Sequence, residues 1–485
     1  MTGLLKVENA AVDAATGRLV ELVSFTLTAG RAFTILGETG SGKSLLAQAI
    51  MGLLHEGLRA SGSVVIDGDA IDLSEPSKHR ALWGRRVGIL PQEPWLALDP
   101  TMHAVGQVAE GHRFVRGLSA AHARQKAEQD LVELGLADAF GKLPGELSGG
   151  MAQRVAFAAA RAGGANIIIA DEPTKGLDVA RRDEVIALLM REVEAGGAVL
   201  TITHDLALAR QMGGDLAVML DGRIIEFGEV ARVLSDPTHE YTRRLIAADP
   251  QNWQPRHRQN LAGKDIVVEV RGIAKMRGGR QLFSDLSFEV RKGEILGITG
   301  PSGSGKSSLG DLLLGLLKPD RGSVHRTHAE SPARYQKIYQ DPPSAFPQRI
   351  TIGAALDDLI RLHKRDASRI GPLMERLRLA TDLLGRLPGE VSGGELQRFA
   401  LLRVLLLDPV FLFADEPTSR LDLITQQETI ELLIELAGER NCAILIVSHD
   451  AALIDRISHR RMAVAGERAL TDNGPQPSAE FHHTL

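Results

Sequence analysis

Along the chain, short apolar runs bounded by glycine or acidic residues alternate with longer amphipathic stretches, and the pattern occurs twice. FTILG (33–37) and EILGITG (294–300) predict strands that feed straight into glycine-rich turns. LLAQAIMGLL (45–54) and SLGDLLLGLL (308–317) predict the helices that follow. Before each turn comes a further strand segment, VSFTLTAG (23–30) or LSFEVRKG (286–293). IIIA (167–170), FLFA (411–414), VLTIT (199–203) and AILIVS (443–448) are short continuous apolar runs, which suit strands of a parallel sheet. Residues 119–136 carry the spacing of an amphipathic helix. Strands alternating with helices place both copies in the α/β class.

The repeat is a domain duplication, because the same ordered motifs recur at a near-constant interval far longer than a solenoid repeat. GETGSGKS at 37–44 returns as GPSGSGKS at 300–307, and LSGGMAQR at 147–154 returns as VSGGELQR at 391–398. IIIADEPTKGLD, ending at Asp178, returns as FLFADEPTSRLD, ending at Asp422. Ser148 and Asp171 recur 244 residues on, whereas the glycine-rich turns lie 263 apart, so the first copy carries extra residues soon after its turn. We expect a first domain over 1–250, a polar linker over 251–264 and a second domain over 265–485.

Composition narrows the class. With 485 residues and 44% hydrophobic content the chain exceeds what one core usually organises. Aromatic content of 4% beside 50 glycines suits α/β domains with many backbone turns near ligands. A single cysteine, Cys442, excludes an internal disulfide framework and a cysteine-built metal site. The net charge of −5 gives no case for nucleic-acid binding. No apolar run is long enough to span a bilayer and the first residues lack a secretory pattern, so the expected location is cytosolic, without membrane insertion.

G-x-x-x-x-G-K-S between a strand and a helix is a phosphate cradle. Gly37, Gly40 and Gly42, like Gly300, Gly303 and Gly305, let backbone N–H groups turn inward at a helix N-terminus. Lys43 and Lys306 are placed to reach the β and γ phosphates, and Ser44 and Ser307 offer hydroxyls to Mg2+. Asp171-Glu172 and Asp415-Glu416 end apolar strands at the carboxyl edge of a parallel sheet, where ligands bind. An isolated Asp-Glu pair there is ordinarily a solvent-facing charge. Beside a phosphate cradle, the aspartates read as metal holders through water and the glutamates as polarisers of the attacking water. His204 and His449 follow the Asp171 and Asp415 positions by 33 and 34 residues, and read as γ-phosphate contacts.

Taken together these motifs resemble the ABC ATPase family over nearly the whole chain: two P-loop NTPase (RecA-like) domains in tandem, each with a helical subdomain and an antiparallel β segment. The resemblance implies that Ser148, Gly149 and Gly150, and Ser392, Gly393 and Gly394, bind the γ-phosphate held by the opposite domain. It also implies that Gln92 and Gln340 are the metal-contacting, partner-sensing glutamines, and that Asp178 and Asp422 are D-loop aspartates. Cofactors are then ATP and Mg2+, and both sites are expected to hydrolyse. Many members stack an aromatic residue on adenine; Val12 and Met276 lie nearest that position here and offer no ring.

The segment VMLDGRIIEFGEVARVLSDPTHEYTRRLIAADP resembles the tail of the oligopeptide, dipeptide and nickel importers, on Pro237, His239, Tyr241, Thr242 and Leu245. QEPWLALDP and QDPPSAFPQR resemble a further stretch of that group, the second less faithfully. The implied partners are two integral-membrane permeases and a periplasmic solute-binding protein, with the ATPase on the cytoplasmic face of the inner membrane. A sugar-importer ATPase, an exporter ATPase and a ribosome-associated tandem protein are the competing assignments. The second copy lacks the tail and ends in EFHHTL, which reads as a polar terminus rather than a metal site.

Overall fold

In the computed structural model the described residues are 3–464, without 67, 92–96, 175–178, 256–260, 302 and 419–420, and with backbone only at 179–180. Gln92, Asp178 and the segment from 465 onward therefore lie outside the described residues. The chain divides into two compact units, Met1–Ile246 and Ala247–Leu485.

The first unit opens with a hairpin, β1 (Gly3–Ala14) and β2 (Gly17–Thr28). It continues through β3 (Arg31–Leu36), α1 (Lys43–Met51), β4 (Arg59–Ile66), β5 (Asp69–Asp72), α2 (Pro76–His79) and β6 (Val87–Leu90). A helical layer follows: α3 (Ala104–Glu110), α4 (Ala120–Glu133) and α5 (Gly149–Ala162). β7 (Ile167–Asp171), α6 (Val179–Glu194), β8 (Ala198–Thr203), α7 (Leu206–Met212), β9 (Asp215–Leu220) and β10 (Arg223–Glu229) complete the central sheet. Two short helices, α8 (Val230–Ser235) and α9 (Glu240–Ala247), form the tail. The central sheet has the order β10-β9-β3-β8-β7-β6 and is parallel except at β10, while an antiparallel sheet has the order β2-β1-β4-β5.

The second unit repeats this plan with β11 (Ile266–Arg277), β12 (Arg280–Arg291), β13 (Ile295–Thr299), α10 (Lys306–Leu314), β14 (Arg321–Arg326) and β15 (Tyr335–Ile338). Its helical layer holds α11 (Ile352–His363), α12 (Ile370–Arg376) and α13 (Gly393–Leu406). Then come β16 (Phe411–Asp415), α14 (Leu423–Arg440), β17 (Ala443–Val447), α15 (Ala451–Ile457) and β18 (Arg460–Ala463). Its parallel sheet has the order β15-β16-β17-β13-β18 and its antiparallel sheet β12-β11-β14. The extra residues of the first copy form β5 and α2, fastened by buried His79, whose Nδ1 lies 3.0 Å from the Ile50 carbonyl oxygen.

Why the central strands read as unbroken apolar runs is visible in their two faces. Ile167 and Ile169 of β7 enter the core shared with α1 and the antiparallel sheet, whereas Ile168 and Ala170 enter the core of the helical layer. Phe411 and Phe413 of β16 likewise part from Leu412 and Ala414. A strand covered on both faces has no polar side. Each large side chain so buried contributes about 1.5–3 kcal/mol. Phe413 also sets the seat of α10: a Cβ on Gly310 would stand 2.1 Å from the Phe413 ring. In the first unit Ala47 and Ile169 hold the corresponding places, a larger helix residue against a smaller strand residue.

Candidate active sites

Each glycine-rich turn leaves a parallel strand and enters a helix, β3 to α1 and β13 to α10. Gly42 and Gly305 cap these helices at φ 97° and 100°, a left-handed conformation that turns successive N–H groups toward the loop mouth and that a side chain would strain. Lys43 is buried, its Nζ donating to the carbonyl oxygens of Gly37 at 2.8 Å and Glu38 at 2.5 Å. Lys306 matches it, with the Gly300 and Pro301 carbonyl oxygens at 2.8 and 2.9 Å. Both ammoniums are thus held inside a ring of backbone dipoles where a polyphosphate is the complementary ligand.

At the end of β7 the Asp171 carboxylate accepts from Ser44 Oγ at 3.2 Å, which brings strand edge and phosphate loop together. In the second unit Ser307 bonds Asp415 in the same way. Burial raises the Asp415 carboxyl above the ordinary carboxylate range, against the downward pull of the Ser307 hydroxyl and the Lys337 ammonium. The next residue turns the chain sharply: Glu172 and Glu416 both have φ 48°. Their N–H groups reach across to the carbonyl oxygens of Ile202 and Val447 at 2.8 and 3.0 Å, which holds this strained backbone in place.

The glutamate side chains meet the histidines. His204 Nδ1 lies 2.7 Å from Glu172 Oε1, and His449 Nε2 lies 2.8 Å from Glu416 Oε1. A carboxylate only accepts, so the facing ring nitrogen donates and the other stays available to a ligand. Thr203 Oγ1 donates to Glu172 Oε2 at 3.3 Å, and Gln340 Nε2 donates to Glu416 Oε2 at 2.9 Å. Gln340, Glu416 and His449 are therefore one linked set within the second unit.

Ser148 and Ser392 cap the N-termini of α5 and α13, each accepting from the backbone three residues on, Met151 and Glu395. A Cβ on Gly149, Gly150 or Gly393 would meet nothing within 4 Å, so each helix start is an open, positively polarised surface. Ser392 Oγ also donates to the Glu395 carboxylate at 2.7 Å; Met151 stands at that place in the first unit. Asp422 is buried and caps α14, accepting from Thr425 N at 3.0 Å and Thr425 Oγ1 at 2.9 Å.

A family model described as ABC transporter matches residues 20–175 and 283–419. The chain belongs to that family and is an ABC transporter ATPase. This ABC ATPase is 32% identical, over 95% of its own length and 90% of the relative's, to the peptidoglycan transport ATP-binding protein YejF of Agrobacterium fabrum. It is also 32% identical to the glutathione import ATP-binding protein GsiA of Salmonella typhi, over 94% of this chain and 83% of that one. Among solved structures, the archaeal ribosome recycling factor aABCE1, in complex with the ribosomal stalk protein aP1, aligns with a TM-score of 0.68. That alignment covers 96% of this chain and 90% of the other at 21% identity, a likeness of fold.

Three features of the ABC domains were not in the motif reading. Gln153 and Gln397, buried in α5 and α13, donate to the Pro173 and Pro417 carbonyl oxygens at 2.6 and 2.7 Å. They tie each SGG helix to the loop after its own Asp-Glu pair, and their recurrence in both copies was the signal available. In the first ABC domain the tail is pinned by Glu226, whose carboxylate accepts from Thr238 N, Thr238 Oγ1 and His239 N at 2.8, 2.9 and 3.1 Å. Finally, Val12, nearest the adenine-stacking position, lies in the core. It is fully buried against Val20 and Ala60, because register shifts in β1 on either side of Ala10 turn Ala10, Ala11 and Val12 inward in succession. Met276 is 53% exposed at the end of the matching hairpin.

Proposed function

We propose that the chain is the ATP-hydrolysing subunit of a peptide-type ABC importer, seated peripherally on the cytoplasmic face of the membrane and driving two permeases fed by a periplasmic solute-binding protein. The observation that carries this reading is the likeness, along 94–95% of the chain, to ATP-binding proteins named for import and transport. The importer-type tail on Pro237, His239, Tyr241, Thr242 and Leu245 supports it. No helix among the described residues is long and apolar enough to cross a membrane.

In this reading the two phosphate loops bind ATP, with Lys43 and Lys306 on the β and γ phosphates. The donors beside them are hard oxygens, the hydroxyl and carboxylate pairs Ser44–Asp171 and Ser307–Asp415, which fit Mg2+. Among the described residues no group of three or more His, Cys, Asp or Glu forms a cage, in keeping with an ion completed by phosphate, water and the glutamines Gln92 and Gln340. When bound, Mg2+ neutralises phosphate charge. Glu172 and Glu416 orient the attacking water, and the left-handed backbone fixes where each carboxylate points. His204 and His449 hold those carboxylates with one ring nitrogen and offer the other to the γ-phosphate. The open helix starts at Ser148–Gly150 and Ser392–Gly394 offer N–H groups to a γ-phosphate.

The test is to co-purify the chain with the permeases from its own source and measure ATP hydrolysis in proteoliposomes with the solute-binding protein present. Stimulation by short peptides above the rate with sugars or without solute is the expected result. Stimulation by sugars alone, or hydrolysis indifferent to permeases, contradicts the importer reading.

A further inference from the structure

The two sites differ by an ion pair next to the metal-holding aspartate. On β15, Lys337 pairs in register with Phe413 of β16, where the first domain sets Ile89 opposite Ile169. On α10, Asp311 lies five residues after Lys306, where Gln48 follows Lys43. Lys337 Nζ lies 2.8 Å from Asp311 Oδ1 and 3.8 Å from Asp415 Oδ2. The Lys337 side chain is 13% exposed and its ammonium faces the rings of Tyr339 and Phe413 at 5.2 and 5.1 Å. A lysine enclosed by two ring faces and a carboxylate has little freedom left, and charges this poorly solvated are screened weakly.

We propose that Lys337 is a positioning residue of the second ATP site. Pinned by Asp311, it fixes the Asp415 carboxylate and weakens that site's hold on its divalent cation. The positive charge partly neutralises the carboxylate before any ion arrives and repels the ion afterwards. Asp311 offsets this only in part, because the ammonium stands between it and Asp415 as the shared partner of both. Uncharged Ile89 and Gln48 leave the corresponding places of the first site without this pair. The inference rests on the reading of Asp415 as the metal-holding carboxylate.

The test is direct Mn2+ binding, followed by electron paramagnetic resonance of free Mn2+ in the presence of ATP. The full chain carries Lys43→Ala to silence the first site and Glu416→Gln to stop turnover. Lys337→Met should tighten Mn2+ binding by at least about threefold. The double change Asp311→Gln with Lys337→Ile, which copies the first domain, should fall between that variant and the parent, and Lys337→Arg should bind as the parent does. Asp415→Asn should weaken binding by about tenfold or more. Parent-like binding by both uncharged variants, with Asp415→Asn weakened, overturns the proposal. Unchanged binding by Asp415→Asn overturns the reading of Asp415 itself. If circular dichroism shows Lys337→Met unfolded, the double variant decides.

Discussion

The hydroxyl of Tyr241 accepts a hydrogen bond from the backbone N–H of Glu38 at 3.1 Å, joining the tail of the first domain to its phosphate loop. Tyr241 is buried, and its own N–H donates to His239 Nδ1 at 3.1 Å. The tail is thereby a brace for the glycine-rich loop. Tyr241→Phe keeps the packing and removes this bond, at a cost of about 1 kcal/mol. ATP binding to the first site, measured by fluorescent-nucleotide titration in a Lys306→Ala chain, should weaken about fivefold. Unchanged affinity would show that the brace does not reach the loop.

Glu226 anchors the start of the same tail. Burial pushes its carboxyl up, but the hydrogen bonds from Thr238 and His239 outweigh that and hold it below the usual glutamate range. A group lowered on folding stabilises above its unfolded pKa, about 4.3, and loses that contribution as pH falls through the folded value. Glu226→Gln should cost about 1–3 kcal/mol at neutral pH. On acidification below about pH 4.3, the gap in thermal midpoint between parent and variant should shrink. A gap that is constant with pH contradicts the role given to the ionised carboxylate.

The left-handed backbone of Glu172 and Glu416 predicts an unusual order of stabilities. Glycine and alanine both delete the carboxylate, yet only alanine keeps the Cβ that makes φ 48° strained. Glu416→Gly should therefore be about 1 kcal/mol more stable to denaturant than Glu416→Ala, the reverse of the usual cost of glycine. Both lose hydrolysis at that site. Alanine as the more stable variant would show that this backbone is not held as described.

The start of the second unit is more than a tether. Trp253 packs against the core that includes Ile430 and Ile434 and donates from Nε1 to the Ala248 carbonyl oxygen at 3.1 Å, while Arg456 donates to the Gln251 carbonyl oxygen. Trp253→Ala should lower the stability of the second unit by about 2 kcal/mol, less than for a fully buried ring. Urea titration monitored by circular dichroism, with the first unit's transition as internal reference, measures it.

How legible was this in the sequence? Glycines, carboxylates and histidines at the sheet edge stood out because duplication made each motif its own control, and the fold does bring Ser44 to Asp171, Glu172 to His204 and Glu416 to His449. IIIA and FLFA could be read as strands because both faces are covered. What stayed hidden depends on geometry that composition does not encode. Val12 could be placed near the adenine-stacking position by its distance from the glycine-rich turn, but the bulges in β1 that bury it leave no mark in the sequence. Nothing in a glutamate advertises a left-handed backbone. Lys337 and Asp311 are 26 residues apart on a strand and a helix, and only the fold makes them neighbours of Asp415.

Whether both sites of the one chain hydrolyse ATP is decided by single-turnover release of phosphate from radiolabelled ATP in the permease-bound chain, comparing the parent with Glu172→Gln, Glu416→Gln and the double variant. The expected result is that each single substitution removes the release from one site and that the double variant releases none above background. An unchanged rate in Glu172→Gln with complete loss in Glu416→Gln, or the reverse, contradicts it.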